Sequence, residues 1–190
     1  MEPAVSTQDA GGHIMTTRTK LFIFIAALTF TGCTPYKTRG QGLPQHVFAR
    51  VEAKWGLPAG LLFAIATAET QNGKITGDTL TFSVVDDVQR KYLRKLALST
   101  GHSILDYRGS YAGAVGLMQI LPATYYAYRQ DGDDDGVSDI LNPYDNLETS
   151  AFFLARMIGV HGSVRKAIFR YNRSNLYVEK VMSLMENSSS

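Results

Sequence analysis

An apolar segment of the sequence ends in a glutamate that could act as an acid. The run LPAGLLFAIATAET, residues 57–70, is apolar almost all round and predicts a buried central helix, with Pro58 in its first turn. Burial and the negative end of the helix dipole both disfavour an ionised Glu69 and raise its pKa. A raised pKa suits a general acid that works near neutrality. The alternative is an exposed glutamate at a frayed helix end.

A second segment, DGDDDGVSDILNPYD, has the composition of a calcium loop. Three alternating aspartates precede Gly136 and match the start D-x-D-x-D-G of such a loop. Alternating carboxylates supply the hard oxygen ligands that Ca²⁺ prefers, and the glycine permits a sharp turn. The twelfth position holds Asn142 in place of a bidentate glutamate, whereas Asp145 could close a longer loop. The alternative is a solvated acidic turn. The three aspartates are Asp131, Asp133 and Asp135.

The segment RGSYAGAVGLMQ, residues 108–119, combines glycines with a lone glutamine. Gly113 and Gly116 would let a long ligand lie against the backbone, because they carry no side chain. Gln119 offers both a donor and an acceptor to hydroxyl or acetamido groups. A tight helix–helix contact with a solvent-facing glutamine explains the same pattern equally well.

The segment FRYNRSNLY, residues 169–177, contains an aromatic face and an amide. Tyr171, Asn172 and Tyr177 are residue types that often hold a sugar. The alternative is a pair of core tyrosines with a capping asparagine, which is equally ordinary. The motif alone therefore does not decide between binding and packing.

Composition argues against several other functions. The four histidines do not cluster at metal-ligand spacing, and the sequence has no phosphate-binding glycine loop and no G-x-S-x-G motif. The 190 residues carry 19 basic and 17 acidic side chains, a net charge of +2 without a basic stripe, so nucleic acid is not an expected partner. The length and 45% hydrophobic content suit one globular domain.

The N-terminal region predicts export and lipidation. Two basic residues precede the apolar run LFIFIAALTF, which is too short to span a bilayer comfortably. Cys33, the only cysteine, stands where lipoprotein signals are cleaved and lipidated, and a lone cysteine excludes an internal disulfide. An ordinary signal peptide with an incidental cysteine is the alternative. The predicted parts are an extension of unassigned role (residues 1–14), a lipoprotein signal peptide (15–33) and a flexible tether (34–43).

Apolar spacing beyond the tether predicts helices and no strands. Gly56, Gly101 and Gly159 are expected to end three helices, while Ser163 and either Ser174 or Asn175 cap two others. The tail NSSS is expected to fray. These signals predict one mainly α-helical domain over residues 44–187. Its predicted helices are residues 45–55, 57–70, 82–100, 123–130, 146–159, 164–172 and 176–185.

Together the motifs resemble those of the lytic transglycosylases, most closely the membrane-bound lytic transglycosylase B type (family 3), with some soluble lytic transglycosylase (SLT) character. ETQNGKITG, RGSYAGAVGLMQILPAT, the D-x-D-x-D-G loop and YNRSNLY follow that family's order over about residues 45–185. The resemblance implies a lysozyme-like single domain with an EF-hand-like metal loop. It also implies cleavage of the β-1,4 bond between N-acetylmuramic acid (MurNAc) and N-acetylglucosamine (GlcNAc) in peptidoglycan, with a 1,6-anhydro product.

The resemblance further implies roles for individual residues. Glu69 would be the catalytic acid and later the base, with Ser110 close to it, and no cofactor is implied for catalysis. The loop would bind a structural Ca²⁺ or Na⁺ through carboxylates and the carbonyl of Val137. Implied substrate contacts are Gly116, Met118, Gln119, Tyr171, Asn172 and Tyr177. Implied metal ligands are Asp131, Asp133, Asp135, Val137 and Asp145.

Three alternatives stay open at this stage: a hydrolytic muramidase, a non-catalytic peptidoglycan-binding lipoprotein and a calcium-responsive regulator. Ordinary glycosidases need two carboxylates, and no second carboxylate here has a motif of its own. A lipidated Cys33 would place the domain at the periplasmic face of a membrane, expected to be the outer one. The expected partners are glycan strands and that membrane, and the enzyme could serve a secretion, pilus or conjugation machine.

Overall fold

The computed structural model describes residues 42–188. The predicted extension, the signal peptide, Cys33 and most of the tether lie outside the described residues. Contacts group Thr34–Ser190 into one compact unit, which contains every residue described below. Within residues 42–188, no helix has both the length and the apolar composition that a membrane crossing requires.

The described residues form eight helices and one short β-ribbon, so the prediction of a mainly helical domain is confirmed. Strand β1 (Thr79–Leu80) pairs antiparallel with β2 (Arg108–Gly109). The sequence missed this ribbon because strands of two residues are too short to show alternation. The helices are α1 (Gln45–Trp55), α2 (Leu61–Thr70), α3 (Thr81–Val84), α4 (Asp87–Thr100), α5 (Pro122–Tyr128), α6 (Pro143–His161), α7 (Val164–Tyr171) and α8 (Asn175–Ser188).

Two hydrophobic clusters hold these elements together. The larger one packs α1, α2, α6, α7 and α8 around a common core, and α2 is its most buried member, as predicted. The smaller one joins α4 and α5 to the loops beside them. Because both clusters consist of residues of the unit Thr34–Ser190, this unit has its own core and does not need the first 33 residues to fold.

The predicted start of α2 was wrong because a distant side chain sets it. The helix begins at Leu61, and Pro58 lies before it. Glu52 of α1 accepts hydrogen bonds from the N–H groups of Gly60 (2.9 Å) and Leu62 (2.7 Å). These are donors that a helix start leaves unpaired. Burial raises the pKa of Glu52, although these hydrogen bonds favour its ionised form. Glu52 thus fixes the start of the helix that carries Glu69.

Two other boundaries also differ from prediction. The predicted helix 82–100 is divided, because the Asp86 carboxylate accepts a hydrogen bond from the Gln89 N–H (2.8 Å) and starts a new helix there. Gly159 does not end α6, which continues to His161 and ends at Gly162 with a φ of 64°. At residue 159 the helix continues because its other residues keep packing on the core, which offsets the roughly 1 kcal/mol cost of a helical glycine.

The remaining capping predictions agree with the structure. Gly56 and Gly101 both end their helices in the left-handed conformation. Ser163 caps α7 by accepting from the Lys166 N–H, and Ser174 does so for α8 by accepting from the Tyr177 N–H. α8 extends to Ser188, so part of the tail predicted to fray is helical.

Candidate active site

Glu69 lies in the last turn of α2 and is half-buried. Burial raises the pKa of Glu69, while the Tyr177 hydroxyl and the Lys180 ammonium act in the opposite direction. Lys180 is held near the carboxylate because its Nζ donates to the Ala68 carbonyl (3.1 Å). The carboxyl is therefore biased toward its protonated form, with a donor and a cation available to its ionised form.

Two tyrosines of the FRYNRSNLY motif stand beside this glutamate. The Tyr177 hydroxyl is buried next to Glu69, but its geometry completes no hydrogen bond with any described residue. The Tyr171 hydroxyl donates to the Met118 carbonyl (2.7 Å) and lies 3.2 Å from Ser150 Oγ. Burial, reinforced by the charge of Glu69, raises the pKa of both phenols well above the usual value. Both therefore stay neutral donors at physiological pH.

The turn that contains Met118 is tied to three helices. Thr70 of α2 donates to the Leu117 carbonyl (2.8 Å), and Tyr171 of α7 donates to the Met118 carbonyl. Asn146 of α6 accepts from the Met118 N–H (2.8 Å), while its amide donates to the Val115 (3.2 Å) and Ile140 (3.0 Å) carbonyls. Met118 is fully buried and both of its backbone groups are engaged. It supports the site and offers no surface to a substrate.

The glycines of this segment are approached by side chains of the protein itself. Gly113 and Gly116 have φ values of 80° and 82°, which favour glycine. A Cβ at Gly113 would lie 2.0 Å from Val85 Cγ1, and one at Gly116 would lie 2.3 Å from Asn146 Nδ2. Close internal packing therefore accounts for glycine at both positions, as the alternative interpretation held. The two glycines lie in turns, however, and not at a contact between helices.

Gln119 has fewer side-chain groups available for hydrogen bonding to a ligand than a glutamine can offer. Its Nε2 donates to the carbonyls of Thr76 (3.0 Å) and Gly116 (2.9 Å), so both donors are in use. Its side-chain oxygen accepts no hydrogen bond from a described residue. Gln119 can thus offer an acceptor, but not the donor that the sequence also suggested.

The other predicted site residues lie around these groups. Ser110 Oγ accepts from the Ala114 N–H (3.2 Å) and makes no hydrogen bond to Glu69 within the described part of the chain. Asn172 follows α7 and is exposed. Tyr111, which sequence reasoning passed over, is 87% exposed and presents an aromatic ring beside Ser110.

The acidic loop brings three of its carboxylates together. Ligand atoms of Asp131, Asp133 and Asp145 lie within 4.8 Å of one another. Asp145 is fully buried. Burial, together with the charges of Asp133 and Asp131, raises the pKa of Asp145 to about 7, despite hydrogen bonds from the Asp139 and Gly132 N–H groups. Such a donor set fits one hard cation, whose charge would offset the mutual repulsion.

Asp135 does not belong to this group of carboxylates, unlike the sequence prediction. Its Oδ1 accepts from the Val137 N–H (2.8 Å), and its own N–H donates to Asp131 (3.2 Å). Asn142, which broke the twelve-residue pattern, donates to Asp133 (2.7 Å) and caps α6. The loop is thus held by its own hydrogen bonds around the three convergent carboxylates.

Sequence reasoning missed two residues that shape the site. Lys180 lies one helical turn after Tyr177 on α8, so the i, i+3 spacing could have placed it on the same face. Asn146 had no comparable signal, because its partners Met118 and Val115 lie 28 and 31 residues away.

Comparison of the sequence with known families finds a match over most of the described chain. The family model described as the transglycosylase SLT domain matches residues 42–163. The chain is 25% identical over 124 residues to membrane-bound lytic murein transglycosylase B of Escherichia coli (strain K12). That match covers 58% of this chain and 33% of the relative, so the chain spans about a third of the relative's length.

Solved structures of lytic transglycosylases share the fold. The lytic transglycosylase SltB1 from Pseudomonas aeruginosa matches with a TM-score of 0.67 at 20% identity, over 76% of this chain and 73% of its own. Escherichia coli Slt35 in complex with calcium gives 0.65 at 17% identity, over 76% and 70%. SltB3 from P. aeruginosa in complex with NAG-anhNAM-pentapeptide gives 0.65 at 18%, over 76% and 60%.

The environment of Glu69 predicts a pH-dependent effect of Glu69→Gln on stability. Because the folded state raises the pKa of Glu69, its contribution to stability is present below the unfolded pKa and is lost as pH rises through the folded one. The variant should therefore be more stable than the wild type near pH 7, and the two should be about equally stable near pH 4. Urea unfolding at both pH values measures this. Glu179→Gln, an exposed glutamate of α8, is the control, and an equal gain there would contradict the assignment.

Proposed function

Because the chain belongs to the transglycosylase SLT domain family, we propose that it is a lytic murein transglycosylase that cleaves the β-1,4 MurNAc–GlcNAc bond and forms 1,6-anhydroMurNAc. The observation that carries the proposal is Glu69, a half-buried acid with a raised pKa beside Tyr177 and Lys180. A raised pKa increases the fraction of a glutamate that carries a proton near neutral pH and can donate it to a glycosidic oxygen. A scaffold that only binds peptidoglycan has no need of such an acid.

The surroundings of Glu69 favour a reaction that uses one carboxylate. Retaining and inverting glycosidases place a second carboxyl about 5–9.5 Å from the first. Among the described residues, the charged or polar groups that perturb Glu69 are Tyr177 and Lys180, and none is a carboxylate. In the proposed reaction the substrate supplies the second catalytic group, as in substrate-assisted glycosidases.

The proposed reaction proceeds in two steps on Glu69. Glu69 donates its proton to the glycosidic oxygen as the C1–O bond breaks, and the 2-acetamido group of MurNAc stabilises C1. The Glu69 carboxylate then accepts the proton of the C6 hydroxyl, whose oxygen bonds to C1 and closes the 1,6-anhydro ring. No water is consumed and the acid is regenerated. Between the steps, Tyr177 and Lys180 stabilise the ionised carboxylate.

The products of peptidoglycan digestion test this reaction. Digestion with the unit Thr34–Ser190 should release fragments that end in 1,6-anhydroMurNAc, identified by mass spectrometry. Glu69→Gln should lower the rate at least about 100-fold, because the acid and base are lost together. Glu179→Gln should cleave like the wild type.

Each other result would favour an alternative named above. Reducing-end products lost with Glu69→Gln would indicate a hydrolytic muramidase. Cleavage that survives Glu69→Gln would move the catalytic acid elsewhere. Binding without cleavage by a folded wild-type protein would favour a peptidoglycan-binding lipoprotein.

We also propose that the loop 131–145 holds a structural Ca²⁺ through Asp131, Asp133 and Asp145. The convergence of these carboxylates on the fully buried Asp145 supports this, and Asp135 is not required. The ion would fix the connection between α5 and α6 and takes no part in catalysis. A single loop of this kind suits a structural ion better than a calcium sensor.

Calcium should therefore raise the thermal stability of the domain. At free Ca²⁺ about 100-fold above Kd, the melting temperature should rise by about 5–10 °C, because binding to the folded state alone stabilises it. Asp145→Asn should abolish the rise. Asp134→Asn is the matched control, since Asp134 lies outside the carboxylate cluster and its φ of 59° suits asparagine. An unchanged melting temperature after chelation would exclude the ion, and the same rise with Na⁺ would change its identity.

We further propose that a lipid on Cys33 anchors the chain to the membrane and that the enzyme serves a secretion, pilus or conjugation machine. In a deletion strain, the wild-type chain should fractionate with the outer membrane and restore apparatus assembly. Cys33→Ser should shift the chain to the soluble periplasm, because a buried acyl chain supplies the anchor. A deletion strain that assembles every envelope-spanning apparatus would remove the machine role alone.

A further inference from the structure

A basic concave surface lies at the end of the domain formed by α7 and α8. Its cavity of about 710 Å³ is as large as sites that hold whole small molecules. We call it the basic face and define it by Lys166, Arg170 and Arg173, which line the cavity together with Phe169. The full lining is His161, Arg165, Lys166, Phe169, Arg170, Arg173, Asn175 and Val178.

No acidic residue in the described part of the chain neutralises the three cations that define the basic face. Arg165 forms an ion pair with Glu179, the acid on the neighbouring turns of α8. Lys166, Arg170 and Arg173 have no acidic partner among residues 42–188, and all three are exposed. Lys166 and Arg170 lie about one turn apart on α7, and Arg173 follows the end of that helix, so the three cations form a local basic patch that the net charge of +2 does not show. The surplus of positive charge predicts an anionic ligand.

The basic face points away from the candidate active site. α7 buries Ala167 and Ile168, and its Tyr171 hydroxyl reaches Met118 on the core side. At about 100° per residue, positions 166 and 170 lie roughly opposite Ile168. Lys166 and Arg170 therefore lie on the side of α7 opposite the one that contacts the candidate active site.

Apolar side chains accompany the cations. Phe169 belongs to the same cavity lining as the cations and is 39% exposed. Val160, next to His161, is 66% exposed, and Leu176, next to Asn175, is 84% exposed. Exposed aromatic and aliphatic groups interleaved with Lys and Arg are typical of surfaces that rest on the headgroup region of a membrane.

We propose that the basic face docks on an anionic lipid surface, with phosphate groups against Lys166, Arg170 and Arg173 and with Phe169 at the acyl boundary. Each cation near such a surface adds to the attraction, and the apolar groups add salt-independent binding. The predicted ten-residue tether, residues 34–43, would span at most about 35 Å, so an anchored domain stays near the membrane. Docking would hold the domain, and with it Glu69, at a fixed orientation to the bilayer, independently of the reaction.

Vesicle sedimentation with the unit Thr34–Ser190 tests the proposal without the N-terminal segment. The protein should bind vesicles of phosphatidylglycerol and phosphatidylcholine, and not vesicles of phosphatidylcholine alone. The variant K166Q/R170Q/R173Q should bind the vesicles at least about tenfold more weakly. Added salt should also weaken the binding of the wild type, because it screens the charges. Phe169→Ser should weaken the part of the binding that resists salt.

The matched control is K91Q/R94Q/K95Q, which removes three exposed cations from α4, where they cover aromatic rings. It should keep most of the binding, and melting curves should show that both triple variants are folded. Equal loss in the two variants would reduce the effect to net charge and overturn the proposal. Absence of vesicle binding would overturn it as well. Retention on purified peptidoglycan that only the basic-face variant loses, without vesicle binding, would assign the face to the wall polymer.

Discussion

The candidate site depends on the buried backbone of Leu117 and Met118 being bound by side chains from three helices. Thr70, Asn146 and Tyr171 satisfy its polar groups, and each comes from a different helix of the larger cluster. An unsatisfied buried donor or acceptor costs about 1–3 kcal/mol, so these bonds act as a set that fixes the helices relative to the turn. Glu69 precedes Thr70 directly, and its position follows from the same contacts.

This arrangement suits one carboxyl to the two opposite proton transfers of the proposed reaction. Burial favours the neutral acid that the first step needs, whereas Tyr177 and Lys180 favour the carboxylate that the second step needs. A fully apolar pocket would make the proton too hard to release, and a paired cation at contact distance would make it too easy. Because Lys180 is held by the Ala68 carbonyl, its charge acts from a fixed place without forming an ion pair.

The sequence predicted those features whose causes lie within a few residues. Gly56, Gly101 and Ser163 end or cap helices through local geometry, and each was placed correctly. The start of α2 could not be predicted, since its cap is the carboxylate of Glu52 on another helix. The role of the glycine segment could not be decided from the sequence for the same reason. Gly116 has no room for a side chain because Asn146, 30 residues away in the chain, packs against it. Motif order identified the family, but the partners that hold each motif arise only in the folded chain.

The distribution of charge over the surface could not be predicted from the composition either. A net charge of +2 gave no sign of charged patches, because composition averages the charge over the whole molecule. In the structure, carboxylates converge in the loop 131–145, whereas cations without an acidic partner among residues 42–188 collect on α7 and just beyond its end. Each of these groups of like charges destabilises the folded protein when no counter-charge is present, because like charges repel at short range. Sequence totals cannot show such segregation, because it depends on which face of a helix the core occupies. Once Ile168 and Ala167 fix the buried face of α7, the positions left for Lys166 and Arg170 follow from helical geometry.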